Sequence, residues 1–81
     1  MDEKIKELFN NLKTFGISQL DASLIADCIN MKKECTWQNN DPITQEAINK
    51  ADEYIKTNFG FSVKITPSRF DKYIWEVKKI K

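Results

Sequence analysis

The stretches that decide the fold are GFSVKIT at residues 60–66 and KYIWEVKK at residues 72–79. In both stretches apolar side chains alternate with polar ones. The alternating apolar positions are Phe61, Val63, Ile65, Tyr73, Trp75 and Val77. A period of two is typical of a β-strand with one buried face. We therefore predict an antiparallel hairpin over residues 61–66 and 72–79, with Pro67 opening the turn between its strands.

Upstream of Gly60 the apolar residues recur at helical spacing instead. Three helices are predicted, over residues 2–15, 18–33 and 42–59. Gly16 and Gly60 are expected to end the first and third helices, because glycine adopts the left-handed conformation of a helix C-cap without strain.

Local signals also predict where the second and third helices begin. Ser18, followed three residues later by Asp21, matches the capping pattern that opens a helix. Asp41 is a candidate N-cap, and Pro42 suits the first helical position because its missing N–H has no partner there. Residues 34–41 are predicted to be a polar loop with one large exception, Trp37.

Length and composition favour a single α+β domain over residues 1–81. The chain has 81 residues, of which 41% are hydrophobic and 31% charged. Its predicted order is α-α-α-β-β, with three N-terminal helices packed on a C-terminal two-stranded antiparallel hairpin. We find no signal peptide and no run of about 18 apolar residues, so we expect a cytoplasmic protein without membrane contact.

The two cysteines are predicted to be free thiols in a reducing compartment. Cys28 and Cys35 are seven positions apart. On one continuous helix this separation is a rise of about 10 Å, whereas a disulfide needs Cα atoms within about 7 Å of each other.

The residue types present argue against catalysis and against a cofactor. The chain has no histidine, which removes the commonest general base and the commonest metal ligand. Two cysteines without histidine do not complete a four-ligand zinc site. The only glycines are the two predicted helix stops, so there is no glycine-rich phosphate loop. We predict a non-enzymatic protein with no metal and no cofactor.

Charge is unevenly distributed along the chain. Residues 61–81 hold six of the thirteen basic residues but only two of the twelve acidic ones. This asymmetry favours an acidic partner surface near the hairpin. If Tyr73, Trp75 and Val77 face the interior, Phe70, Lys72, Ile74 and Lys78 face outward, unless the N-terminal helix covers them.

These observations predict a protein-binding site. Its candidate residues are Trp37, Phe70, Lys72, Ile74 and Lys78. Trp37 has two interpretations, since an indole in a polar loop either fills the core or stands out as an interface anchor. The corresponding function is a small regulator, inhibitor or adaptor, with a homodimer as one candidate assembly. Twelve of the thirteen basic residues are lysine, a bias common in AT-rich genomes, and phages and mobile elements are one such source.

An alternative partner is DNA. Three helices followed by a basic hairpin resemble the outline of a winged helix-turn-helix domain, which implies helix 43–58 as the recognition helix and residues 61–79 as the wing. The candidate nucleic-acid contacts are Gln45, Asn49, Lys64, Arg69 and Lys72. Against this hypothesis, the recognition helix carries three acidic and two basic residues, and the connection before it is longer than a tight turn.

Overall fold

The computed structural model describes residues 3–67 and 72–80. In this part of the chain, three helices and three strands follow one another in the order α-α-β-α-β-β. They are α1 (Glu3–Phe15), α2 (Gln19–Asn30), β1 (Cys35–Asn39), α3 (Gln45–Phe59), β2 (Phe61–Pro67) and β3 (Tyr73–Lys79). The α+β class is confirmed. The predicted order is wrong because a strand lies between the second and third helices. The predicted turn after Pro67 lies outside the described residues.

The sheet has three strands in these ranges, in the order β1-β3-β2, where the sequence predicts two. Both outer strands run antiparallel to β3. The segment predicted to be a polar loop forms β1, in which half-buried Cys35, Trp37 and Asn39 alternate with exposed neighbours. Only one of these side chains is large and apolar, so the strand pattern is too weak to recognise within the segment itself.

The end of α2 explains why β1 can turn back onto the helix. Lys32 adopts a left-handed conformation with φ 56°. Its N–H donates to the carbonyl of Ile29, and the N–H of Lys33 donates to the carbonyl of Cys28. This pair of bonds closes a Schellman motif, which stops the helix. The helix therefore ends at Asn30 rather than at residue 33.

The start of α3 also differs from the prediction. Thr44 is the N-cap, and its hydroxyl accepts a hydrogen bond from the N–H of Ala47. The N–H of Asp41, the predicted cap, instead donates to the side-chain oxygen of Asn39 at 3.3 Å. This bond keeps Asp41 in the turn that leaves β1, so the helix begins at residue 45 rather than at residue 42. The predicted caps at Ser18 and Gly60 are confirmed.

The core lies between the helices and one side of the sheet. This inner sheet face carries Phe61, Val63, Trp75 and Val77, all buried. Leu8 and Leu12 of α1, Ile25 of α2 and Ile55 of α3 are fully buried in the same cluster. Trp75 is its largest fully buried side chain among the residues described. Within residues 3–67 and 72–80, no helix combines the length and the apolar character that crossing a bilayer requires.

The prediction of two free thiols is wrong, because Cys28 and Cys35 form a disulfide. The two residues do not share a helix. The Schellman turn reverses the chain and brings their Cα atoms to 6.3 Å. The bond ties the C-terminal end of α2 to the first residue of β1. The reducing compartment was predicted from free thiols, so the disulfide removes the basis of that prediction.

Candidate protein-docking surface

The side of the sheet that faces away from the helices is a candidate docking surface. We call it the outer sheet face. Its residues are Thr36, Gln38, Ser62, Lys64, Thr66, Ile74, Glu76 and Lys78. They alternate with the buried residues of the inner face, as the pleat of a β-strand requires. In the part of the chain that the structure describes, α1 packs against α2 and α3, so it does not cover this face.

Strand register arranges the outer sheet face in rows. Ile74, on the central strand, lies between Gln38 of β1 and Thr66 of β2. It is partly exposed. The neighbouring row places Glu76 between Thr36 and Lys64. Ile74 is therefore an apolar side chain among hydrogen-bonding neighbours, and an incoming chain could contact both kinds of group.

Lysines dominate the charge of this surface. Lys64 and Lys78 lie on the outer sheet face, and the exposed Lys72 and Lys79 lie at opposite ends of β3. Glu76 is the one acidic residue on the face. Two side-chain ion pairs in the described ranges lie on α3, and the ammonium groups of these four lysines have no carboxylate partner in those ranges. The backbone N–H of Lys79 donates to the carboxylate of Glu34 at 3.1 Å. A depression of about 230 Å³ lies between Glu76, Ser62 and three of the lysines.

Asp52 of α3 closes the free edge of β2. One oxygen of its carboxylate accepts hydrogen bonds from the N–H of Val63 and from the hydroxyl of Ser62, both at 2.9 Å. The other lies 3.0 Å from the ammonium of Lys56. Burial raises the pKa of Asp52, but these three partners together outweigh it and hold the pKa below its ordinary value.

The lowered pKa of Asp52 predicts a loss of stability in acid. Its contribution is fully present above the unfolded-state pKa, about 3.9. The contribution is lost as the pH falls through the lower folded-state pKa, because protonation then favours the unfolded chain. We expect the stability advantage of the wild type over Asp52→Asn, measured by urea unfolding, to shrink from about pH 5 to pH 2.5. Lys56→Met should reduce this pH dependence. Parallel curves for wild type and Asp52→Asn would contradict the role of the carboxylate.

Trp37, predicted as an interface anchor or a core residue, lies on the inner sheet face. Its ring stacks on Trp75 with centroids 5.8 Å apart and planes 7° apart. Its indole N–H donates to the carboxylate of Asp21 at 3.1 Å. The side chain is half-buried and makes specific contacts with the core. Trp37 therefore packs against the core, and its role as an interface anchor stays a prediction.

Asp21 is the buried acid that holds this region together. It is 1% exposed. Besides Trp37, the amide of Asn39 donates to its carboxylate at 2.6 Å and the hydroxyl of Ser18 donates at 3.1 Å. In the described part of the chain, every buried side-chain nitrogen or oxygen has a hydrogen-bond partner. Asp21 thus joins the N-terminal turn of α2 to β1.

The predicted site residues separate into groups. Lys72, Ile74 and Lys78 lie together on or beside the outer sheet face, along with Lys64. Gln45 and Asn49 are exposed on α3 and are hydrogen-bonded to each other at 3.0 Å. With Lys64 they line a depression of about 240 Å³ at the edge of β2. The two remaining predicted residues, Arg69 and Phe70, lie outside the described residues.

Sequence reasoning missed Thr36 and Gln38 of the outer sheet face, together with the long-range role of Asp21. The signal for Thr36 and Gln38 was the alternation around Trp37, which spans only five residues. Asp21 was identified correctly as a capping residue. Its bonds to Trp37 and Asn39 depend on a strand 16 to 18 residues further along.

Comparison with known proteins gives no match: no family model, curated protein or solved structure is significantly similar to this chain. Among the residues described, no group of three or more cysteine and acidic side chains is placed to hold a metal ion.

Proposed function

We propose that this protein is a small non-enzymatic binding module that recognises an acidic protein partner through its outer sheet face. In this role the protein acts as a regulator, inhibitor or adaptor. It either covers a surface of its partner or links the partner to another molecule. The observation that carries this proposal is a sheet face left uncovered by the helices, with a central isoleucine and, around it, lysines that form no ion pair with another described residue.

The composition of this face supports the choice of a polypeptide partner. An uncovered antiparallel sheet face is usually polar, because it faces water. Here the apolar Ile74 occupies the midline, and burying it against a partner would stabilise the complex. The lysines around it would attract acidic side chains and orient the approaching partner. Phe70, also predicted to be an anchor, remains a prediction.

The absence of histidine from the sequence supports a binding role over a catalytic one. Without histidine, acid–base catalysis at neutral pH would need a carboxylate or lysine with a strongly altered pKa. The described acid with a shifted pKa is Asp52, which stays ionised and bonded to the edge of β2. Its hydrogen bonds account for its position without a catalytic role.

DNA is the second candidate partner, since one depression brings Gln45 and Asn49 next to Lys64. Two features weigh against it. Strand β1 separates α2 from α3 in the chain, so these helices are not joined by the short turn of a helix-turn-helix. Acidic Glu46 and Glu53 are exposed on the same helix and would repel phosphates.

Binding of defined probes tests the proposal. We would titrate isotope-labelled protein with a short peptide of alternating glutamate and leucine, with its lysine–leucine counterpart, and with an AT-rich duplex. We expect the acidic peptide to shift the amide signals of Lys64, Ile74 and Lys78. The basic peptide should not bind. Ile74→Ser should weaken acidic-peptide binding by about tenfold, because it removes the central apolar contact.

Charge reversal supplies the matched control. Lys78→Glu, on the outer sheet face, should weaken acidic-peptide binding, whereas Lys6→Glu, on the exposed side of α1, should not. Circular dichroism would establish that each variant is folded. Equal effects of the two reversals would contradict a specific surface. Duplex binding that weakens by orders of magnitude between about 50 and 200 mM salt would favour DNA instead.

A further inference from the structure

The two edges of the sheet differ in how well their backbone groups are protected from pairing with another strand. At the β2 edge Asp52 accepts the N–H of Val63, Lys64 is charged, and Pro67 has no N–H to offer. Charges, prolines and side chains bonded to the edge backbone are the devices that stop strands from pairing with other chains. The β2 edge is therefore closed to a further strand.

The β1 edge has none of these devices. Its five residues, Cys35–Asn39, include no charge and no proline. Within the described ranges, the backbone of Thr36, Trp37 and Gln38 forms no hydrogen bond beyond its pairing with β3. Alternate N–H and C=O groups along this edge therefore remain available to a further strand.

Helix α2 lies alongside this open edge. Asp21, in its first turn, bonds to Trp37 and Asn39, while Cys28, near its end, is linked to Cys35. These contacts show that α2 runs antiparallel to β1 on the inner side of the sheet. A strand added to β1 would therefore also pass beside α2.

An exposed apolar row follows the same side of α2. We call it the α2 stripe, and it consists of Leu20, Leu24 and Met31. The three side chains are 59%, 36% and 58% exposed, and they are three of the four large hydrophobic residues exposed in the described chain. At 100° per residue they fall within about 40° of one another around the helix, with the C-cap Met31 continuing its last turn. The exposed Asp27 borders the stripe, about 20° outside this sector.

Helical geometry also shows where the α2 stripe points. Asp21 and Cys28, which contact β1, occupy the sector next to the stripe. The buried Ala22 and Ala26 occupy the opposite side of the helix. Around the circumference of α2, the residues that contact β1 therefore lie between the buried side and the α2 stripe. The stripe therefore lies beyond the edge of the sheet, where the inner-face side chains of an added strand would lie.

We propose that β1 and the α2 stripe form a self-association interface, in which the β1 strands of two copies pair antiparallel. The occupant is a second copy because the surface is complementary to itself. Pairing centred on Trp37 brings the turn before β1, with Lys33, near the turn after β1 of the other copy, with Asp41. Glu34, also in the turn before β1, accepts a hydrogen bond from the N–H of Lys79. Opposite charges thus meet at both ends of an uncharged strand, and the two stripes face each other.

This arrangement joins two three-stranded sheets into one of six strands. Antiparallel pairing keeps the outer sheet faces on the same side, so the dimer is compatible with the proposed partner surface but does not depend on it. The contact consists of one short strand pair and one apolar row from each copy, which is small for a specific complex. We therefore expect a dimer that dissociates on dilution.

Sedimentation velocity over a range of concentrations tests the proposal. The wild type should convert from monomer to dimer as its concentration rises. Leu20→Asp should raise the dissociation constant at least about tenfold, because it places a charge in the apolar contact that the exposed Asp27 would repel rather than neutralise. The matched control is Ile80→Asp, at an apolar residue 49% exposed and distant in sequence from β1 and α2. It should dimerise like the wild type.

Charge exchange tests the antiparallel arrangement itself. Lys33→Glu alone and Asp41→Lys alone should each weaken self-association, because like charges then meet at both ends. Mixing the two variants should restore dimers, since each unlike pair is then re-formed between copies. A wild type that stays monomeric at all concentrations, an equal loss with Ile80→Asp, or no recovery on mixing would overturn the proposal.

Discussion

Trp75→Ala is expected to lower the free energy of unfolding by about 4 kcal/mol, the largest effect of any single substitution in this account. Trp75 is fully buried on the central strand and stacks on Trp37. Alanine would leave a cavity under the sheet and remove that stacking partner. A domain of this size has a total stability of about 4–12 kcal/mol, so the loss is about a third or more of the total and the variant should unfold at a much lower urea concentration.

Urea unfolding followed by circular dichroism measures this loss without relying on tryptophan fluorescence. Trp75→Phe should cost less, because it keeps an aromatic ring in the same space. Lys78→Ala, three residues further along the same strand but exposed on the outer sheet face, should change stability by less than about 0.5 kcal/mol. A similar small change for Trp75→Ala would contradict the burial of this residue.

Asp21→Ala is expected to lower the free energy of unfolding by about 3 kcal/mol. The substitution leaves the indole N–H of Trp37 and the amide of Asn39, both half-buried, without the carboxylate that accepts from them. Each buried donor that loses its partner costs about 1–3 kcal/mol. Asp21→Asn should cost less, because its carbonyl oxygen can still accept both bonds.

The matched control for Asp21 is Asp27, an exposed acid on the same helix. Asp27→Ala should change the free energy of unfolding by less than about 0.5 kcal/mol. A double-mutant cycle of Asp21→Ala with Trp37→Phe should give a coupling free energy of at least about 0.5 kcal/mol, because the two side chains share one bond. Equal costs for Asp21→Ala and Asp27→Ala would contradict the linking role of Asp21.

The elements that could be predicted from the sequence are those specified by local signals. Long apolar stripes indicated the three helices, and Gly60 marked the end of α3 because its left-handed conformation favours glycine. Alternation over residues 61–66 and 72–79 indicated the hairpin strands, which the structure places at Phe61–Pro67 and Tyr73–Lys79. The outward placement of Ile74 followed from that alternation alone, and with it part of the candidate docking surface.

The elements that could not be predicted depend on contacts between distant residues. At the end of α2, Lys32 takes the left-handed position that glycine usually fills, so no residue marked the stop. Strand β1 is held by Asp21, by the disulfide and by pairing with β3, and all three partners lie outside its own five residues. The third strand and the open β1 edge therefore became visible only in the folded chain.

The accessibility of Ile74 most directly tests the central claim that one face of the sheet is packed by helices and the other is open for a partner. A neutral paramagnetic reagent dissolved in the solvent relaxes the methyl signals that it can approach. We predict strong relaxation at Ile74 and little at Val77, and shielding of Ile74 when the glutamate–leucine peptide is added. An Ile74 methyl as shielded as that of Val77 in the free protein, or one equally exposed with and without the peptide, would contradict the account.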